Sequence, residues 1–251
     1  MLTHRIDGDG PPLLLLNGGL MSIAAWQPFA DALSPRHRVI RCDFRGQLLT
    51  PGPPFAMSWE EHASDVVSLL DALNIERAHV VGVSFGAEVS MLLAALHPSR
   101  VSRLTVISAT DYTTAEMRAD AAQGRVLAQS DPAELFRRVA SKTWSAPWLA
   151  AQPPELIEQR ARAMAALPPA FFAGAAAILA LLETLDLRPY LGKVAAPTLV
   201  IGGENDEVFP IEHSHAIAAA IPNARLEIVA GTGHGLLFEC APRVIALLTE
   251  V

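Results

Sequence analysis

An α/β fold, a mostly parallel central sheet with helices on both faces and a long helical insertion, is what this sequence of 251 residues predicts. Three observations predict it. Over roughly the first hundred residues, short apolar runs alternate with helical patterns, the order of crossover units around a parallel sheet. The runs are continuously apolar instead of alternating, which fits strands buried on both faces. From residue 111 to 191 strand signals disappear, and they return near the C-terminus.

The elements follow in order. Leu2 to Ile6 is the one strand-like run before the strongly apolar Leu13 to Leu16, and Arg38 to Cys42 comes next. Ser58-Trp59-Glu60-Glu61 reads as a capping box, in which the serine hydroxyl and the glutamate carboxylate each satisfy a free backbone N–H. The helix it starts should run to about Leu73, with Val66, Leu69, Leu70 and Leu73 on one face. His79 to Val83 is a strand, Ala87 to Leu96 a helix, and Leu104 to Ser108 another strand. Asp111 to Leu191 is alanine-dense and punctuated by Asp131-Pro132, Pro153-Pro154 and Pro168-Pro169, so an all-helical lid is expected there. Strands resume at Thr198 to Ile201 and Leu226 to Val229, with helices near Ile211 to Ala220 and Pro242 to Leu248. Residues 1–110 and 192–251 thus form the core and 111–191 the lid, as one folded unit without internal repeats.

Composition excludes several classes. Charged residues make up 18% and hydrophobic residues 51%, too apolar a balance for disorder. With 19 Lys+Arg against 26 Asp+Glu, the net charge of −7 and the lack of a basic run argue against nucleic acid as a partner. Cys42 and Cys240 lie far apart with no Cys/His cluster nearby, so buried thiols are expected, with no zinc site or disulfide framework. Met1 to Asp7 shows no basic start followed by an apolar stretch, and the longest apolar segment, Ala170 to Leu182, is broken by Gly174. A cytoplasmic protein without stable membrane insertion is therefore expected, and nothing in the sequence specifies its oligomeric state.

Gly82-Val83-Ser84-Phe85-Gly86 follows one apolar run and precedes a helical pattern. The pattern G-x-S-x-G is weak alone. Its position gives it weight, because a serine lifted from a strand-to-helix turn needs a strained backbone and small neighbours two residues to either side. A phosphate-binding glycine loop is the competing reading, but no P-loop lysine follows. A serine hydroxyl needs a base, and the base needs an acid to hold its tautomer. Gly203-Glu204-Asn205-Asp206 and Gly231-Thr232-Gly233-His234-Gly235 each follow an apolar run, where parallel sheets place their sites. Ser84, Asp206 and His234 are thus able to converge from three strands. Glu204, Glu207 and Asp111 compete for the acid role, and Asp111 is expected instead as a helix N-cap or loop residue opening the lid. His213 and His215 are expected to face solvent or a carboxylate, and His97 to complement a helix end.

In the order Ser, acid, His, with a helical insertion before the acid-bearing strand, the chain resembles the α/β-hydrolase superfamily over essentially its whole length. The resemblance implies Ser84 as nucleophile, His234 as general base and acid, and Asp206 as the orienting acid. It implies an oxyanion hole from the backbone N–H groups of Phe85 and Gly19, the latter in Leu16-Asn17-Gly18-Gly19-Leu20. Many members have His-Gly-x there, so Asn17 departs from the pattern, as it does in hydrolases similar to 3-oxoadipate enol-lactonases. Asp43-Phe44-Arg45-Gly46 looks like the family's structural D-x-R-G loop. Its continuation, Gln47-Leu48-Leu49-Thr50, departs, and a changed loop at the pocket edge is expected. The sheet is expected to lack one edge strand.

No cofactor and no metal are implied, and a small molecule is the expected partner. Ser84 in place of aspartate argues against haloalkane dehalogenase or epoxide hydrolase chemistry. Hydrolysis of a carboxylic ester or lactone through an acyl-enzyme is the leading expectation. The alternatives are thioester or carbon–carbon bond hydrolysis, haloperoxidase-like perhydrolysis on the same triad, and a non-catalytic binding module. Leu167, Phe171, Phe172, Ile178, Leu179, Leu181 and Leu182 exceed one buried stripe, and part of this set is expected to line an apolar pocket.

Overall fold

The computed structural model describes residues 1–50 and 58–249. The chain enters through β1 (His4–Asp7) and β2 (Pro12–Leu16), crosses through α1 (Gln27–Leu33) to β3 (Arg38–Cys42), and returns through α2 (Trp59–Ala72) to β4 (Ala78–Val83). Next, α3 (Phe85–Leu96) leads to β5 (Val101–Ile107). Helices α4 (Ala115–Ser130), α5 (Pro132–Thr143), α6 (Ala146–Ala150), α7 (Leu156–Ala165), α8 (Pro169–Leu182) and α9 (Arg188–Leu191) precede the next strand. The chain closes with β6 (Thr198–Gly203), α10 (Ile211–Ala220), β7 (Ala224–Val229), α11 (Leu236–Glu239) and α12 (Ala241–Thr249).

The strands form one sheet in the order β1-β3-β2-β4-β5-β6-β7, parallel except for the antiparallel edge pair β1 and β3. Continuous apolar runs are explained by burial on both faces. On β2, Leu14 and Leu16 join the cluster beneath α2 and α3, while Leu13 and Leu15 join the cluster beneath α1 and α12. The two faces therefore draw on alternate residues of one strand. The Ser58/Glu61 capping box forms, with Glu61 N–H donating to Ser58 Oγ at 3.2 Å and Ser58 N–H to Glu61 Oε2 at 2.7 Å.

Two strand ends and one cysteine differ from the sequence reading. The first strand starts at His4, and Leu2 packs into the core instead. The strand expected to include Ser108 ends at Ile107, because Ser108 turns to a φ of 49°. Cys42 is a buried free thiol, but Cys240 is half-buried just before α12.

The segment between β5 and β6 is pinned at its base. Tyr112 bridges Asp186, Leu187 N–H donates to Asp111 O at 2.7 Å, and Thr113 N–H donates to Leu185 O at 3.1 Å. Farther out, α4 packs along α8 and α5 along α7, around a small apolar nucleus of Ala128, Leu135 and Ala176. Gly174 lets α8 touch the core, since a Cβ there would lie 1.8 Å from Gly46 O. Among the described residues, no single helix is long and apolar enough to cross a membrane.

Candidate active site

From β2 the chain moves outward to β3, whereas β4 lies on the other side of β2 and leads to β5. That reversal opens a crevice at the C-terminal ends of β2 and β4, where open α/β sheets bind ligands. The loop at Asn17 leaves the first strand and Ser84 leaves the second.

Ser84 stands alone between β4 and α3 with φ 50° and ψ −125°, a conformation costing about 1–3 kcal/mol. Its surroundings enforce it. Ser84 N–H donates to Ile107 O at 2.9 Å, and Ser84 O accepts from Ala87 N–H at 2.6 Å as the helix begins. A Cβ on Gly82 would lie 2.3 Å from Gly86 O, and one on Gly86 would lie 2.5 Å from Leu16 O. The glycines flanking the serine are therefore steric requirements of the turn.

The structure brings Ser84, His234 and Asp206 together. His234 Nε2 lies 3.1 Å from Ser84 Oγ, and His234 Nδ1 lies 2.8 Å from Asp206 Oδ2. An ionised carboxylate only accepts, so the Nδ1 position carries the proton and the Nε2 lone pair faces the serine hydroxyl. Asp206 is 7% exposed, and its Oδ1 accepts from Val208 N–H at 2.9 Å and Phe209 N–H at 2.8 Å. The competing acids lie elsewhere. Glu204 accepts from Gly231 N–H at 2.8 Å, and Glu207 is exposed. Asp111 does not cap α4: Thr114 does, while Asp111 is buried with Oδ1 2.6 Å from His213 Nδ1. His215 is exposed, and His97 forms the C-cap of α3.

The loop carrying His234 has two supports that sequence reasoning missed. Ser108 Oγ–H donates to His234 O at 2.9 Å. The Glu239 carboxylate accepts from Gly233 N–H at 3.2 Å, Ser145 N–H at 3.0 Å and Ser145 Oγ–H at 2.6 Å, tying the histidine loop to the inserted helices. Neither residue sits in a motif. Both act through contacts that exist only once distant segments have packed.

At the other side of the crevice, Asn17 is a fully buried hub. Its Nδ2 donates to Asp43 Oδ1 at 2.9 Å and Gln47 Oε1 at 3.0 Å, and its Oδ1 accepts from Trp26 Nε1–H at 2.9 Å. Asp43 also accepts from Ile23 N–H at 2.8 Å and Leu49 N–H at 2.9 Å. Gln47 Nε2 donates to Gly18 O at 2.8 Å. Because a trans peptide points its N–H opposite its C=O, fixing Gly18 O inward turns Gly19 N–H outward. The same logic applies to Phe85, whose N–H shares a plane with the Ser84 carbonyl that α3 engages. Among the described residues, neither N–H has an acceptor, and both residues line the same cavity. Within the departing continuation, the residue that reaches the pocket edge is Gln47, through Gly18 O. Gln47 acts on the glycine loop from beneath, while Leu48 and Leu49 are exposed and do not line the cavity.

Above Ser84 and His234 lies a cavity of about 260 Å³, walled by α4, α5 and α8. Ile178, Leu179 and Leu182 line it; Phe171 and Phe172 instead meet edge to face, and Leu181 packs on the core. On α3, the buried Glu88 accepts from Thr110 N–H at 3.1 Å. Burial raises its pKa well above the usual carboxylate range, against the lowering effect of the Thr110 N–H bond.

Residues 11–241 match the family model described as alpha/beta hydrolase fold. The chain belongs to the α/β-hydrolase fold family. Among curated relatives, this α/β hydrolase is 31% identical to "Putative carbamate hydrolase RutD" of Stutzerimonas stutzeri (strain A1501), over 93% of this chain and 88% of the relative. Among solved structures it is similar to a hydrolase from Pseudomonas aeruginosa PA01, at 30% identity and a TM-score of 0.87, covering 99% and 93% of the two chains. It is also similar to the enol-lactonase from Burkholderia xenovorans LB400, at 25% identity and a TM-score of 0.90, covering 99% and 95%.

Proposed function

We propose that this α/β hydrolase cleaves a carboxylic ester or lactone of a small, largely apolar substrate through an acyl-enzyme. The observation carrying the proposal is the continuous chain from Ser84 Oγ through the imidazole of His234 to Asp206, at 3.1 Å and 2.8 Å. His234 Nε2 takes the hydroxyl proton as Ser84 attacks the carbonyl carbon, and Asp206 stabilises the imidazolium. The oxyanion is met by the N–H groups of Gly19 and Phe85, each worth about 3 kcal/mol in reactions of this kind. His234 returns the proton to the leaving alcohol, then activates water to release the acid and regenerate Ser84. The helices of 111–191 serve as the lid that shapes the acyl pocket.

Carbamate hydrolysis is a second reading, favoured by the name of the RutD relatives. It uses the same attack on a carbonyl, with a carbamoyl group left on Ser84. Labelling with a fluorophosphonate, followed by turnover of a matched p-nitrophenyl ester and carbamate, tests both. The unaltered protein should label and Ser84→Ala should not; equal labelling of the two overturns the nucleophile assignment. Faster turnover of the carbamate than of the ester would establish the second reading.

A further inference from the structure

The inner stripe of α5 carries charges where its position calls for apolar residues. Leu135, Arg138, Val139 and Lys142 follow the i, i+3, i+4, i+7 spacing of one helix face, and all four line the cavity above Ser84. The adjacent Arg137 does not line it and pairs with Glu134 and Glu158 instead. Opposite the inner stripe, α4 presents Asp120, which also lines the cavity. Arg138 Nη2 binds Asp120 Oδ1, and Lys142 Nζ binds Asp120 Oδ2. The paired cations hold the Asp120 carboxyl below the usual carboxylate range, against the opposing effect of partial burial.

This trio holds two cations and one anion. Among the described residues, Asp120 is the one carboxylate within ion-pair distance of either cation, so one positive charge is left over. Tying α4 to α5 requires a single pair; the second cation is surplus to that purpose. Donor capacity is surplus as well, since a guanidinium offers five N–H groups and an ammonium three. All three side chains are about one-third exposed, at 33% to 38%, and so remain accessible from the cavity. The charge is local, because the chain as a whole carries −7 and provides no general attraction for anions.

We propose that Arg138 and Lys142 form a carboxylate subsite in the lid wall, so that the preferred substrate carries a free carboxylate on the apolar acyl chain that Ser84 receives. The single surplus charge matches a monoanion. Leu135, Val139 and Leu179 meet the methylene part, while the two cations bind the carboxylate by charge-assisted hydrogen bonds. This inference rests on the acyl-transfer reading of Ser84 and narrows its substrate class to half-esters or lactones of dicarboxylic acids.

The test compares mono-p-nitrophenyl esters of unbranched dicarboxylic acids, from succinate to suberate, each against the same ester with its far carboxylate capped as a carboxamide. At the best chain length the ratio of kcat/KM, acid over amide, should exceed one and decline with added salt. It should fall about tenfold in Lys142→Gln and in Arg138→Gln, the usual scale of a charged hydrogen bond, and rise in Asp120→Asn. Arg137→Gln, outside the cavity, should leave the ratio where it was. A purely structural role for the trio changes both esters together and leaves the ratio fixed; that result, or preference for the amide at every length, overturns the subsite. A second measurement is independent of turnover. In Ser84→Ala, the free dicarboxylates should raise the melting temperature more than their diamides do, and Lys142→Gln should abolish the difference. If no ester is turned over but this difference is present, the acyl-transfer reading fails and the subsite stands. If the difference is absent, the subsite fails.

Discussion

Two aspartate–histidine pairs lie near the C-terminal edge of the sheet, and locally they are much alike. In one, Asp206 Oδ2 meets His234 Nδ1 at 2.8 Å; in the other, Asp111 Oδ1 meets His213 Nδ1 at 2.6 Å. What lies around each imidazole separates them. His234 turns Nε2 to Ser84 Oγ and lines the cavity. His213 Nδ1 is shared with Thr110 Oγ1 at 3.0 Å, its ring meets Tyr112 at an angle of 62°, and it does not line the cavity. The second pair instead joins α10 to the base of the insertion, where Leu187 N–H donates to the backbone of Asp111 and Arg188 stacks over Tyr112. An Asp–His pair is therefore a general means of fixing an imidazole. Reactivity depends on the third group and on access.

The largest effect expected from this contrast is on turnover. On the proposed mechanism, Asp206→Asn removes the acceptor that selects the useful tautomer, and kcat should fall by about 10⁴, the cost of that substitution in serine-protease triads. Asp111→Asn should leave kcat within about threefold, because ordinary structural substitutions away from a site change activity little. Ester hydrolysis measured on both folded variants decides the matter. If Asp111→Asn is the inactive one, the two pairs have been assigned the wrong way round.

Stability should reverse that ranking. Asp111→Ala leaves His213 buried without its hydrogen-bond acceptor and should cost about 1–3 kcal/mol, the range for a buried polar group left unpaired. His213→Ala should cost a similar amount, and the double variant less than the sum, since one interaction is being removed twice. His234→Ala should change stability by less than about 1 kcal/mol, because active-site residues are commonly kept at some expense to stability. Urea unfolding of the four variants provides the comparison.

The same contrast marks how far the sequence was legible. Ser84, with Gly82 and Gly86, was readable because the turn is local, and its steric needs lie within five residues. Asp206 and His234 were readable by position after apolar runs. That reading did not reveal the partner of Asp111, since His213 is about a hundred residues away and the two meet only through tertiary packing. Gln47, Ser108 and Glu239 were missed for a related reason: each supports a loop by bonding backbone groups, and backbone donors and acceptors leave no trace in residue identity. Nothing in the sequence singles out Arg138 and Lys142, because the packing of the neighbouring helices decides which stripe of α5 faces the cavity.

A third histidine sharpens the comparison because it has no carboxylate partner. His62 is fully buried, and among the described residues neither ring nitrogen has a hydrogen-bond partner. Its ring meets Phe44 and Phe85 edge-on at 5.5 Å and 5.1 Å. Burial, and secondarily the charge of Arg45, lower its pKa from 6.5 to about 4. Between those values the unfolded chain binds a proton that the folded chain refuses, so stability rises with pH across that window. Acidification from pH 6.5 to about 4 should thus cost on the order of 3 kcal/mol from this residue. His62→Phe should flatten the profile by that amount in urea melts taken across the window. An unchanged slope would place the acid sensitivity in other groups, such as His79, whose pKa burial lowers to about 3.

The smallest expected effect concerns how each histidine is held. His213 sits on α10, where the helix itself fixes the backbone, while His234 sits on a glycine-rich loop and depends on outside support. Ser108 supplies part of it, and it does so from a left-handed backbone with φ 49°. Ser108→Ala removes the bond to His234 O and keeps the strain, and should lower kcat by about five- to tenfold, matching about 1 kcal/mol for a neutral hydrogen bond. Ser108→Gly removes the bond and also relieves the strain, so it should share the loss in kcat yet be more stable than Ser108→Ala by about 1 kcal/mol. If the glycine variant recovers full turnover, the strained backbone would be what limits the His234 loop, and the hydroxyl would be merely a buried polar group finding an acceptor.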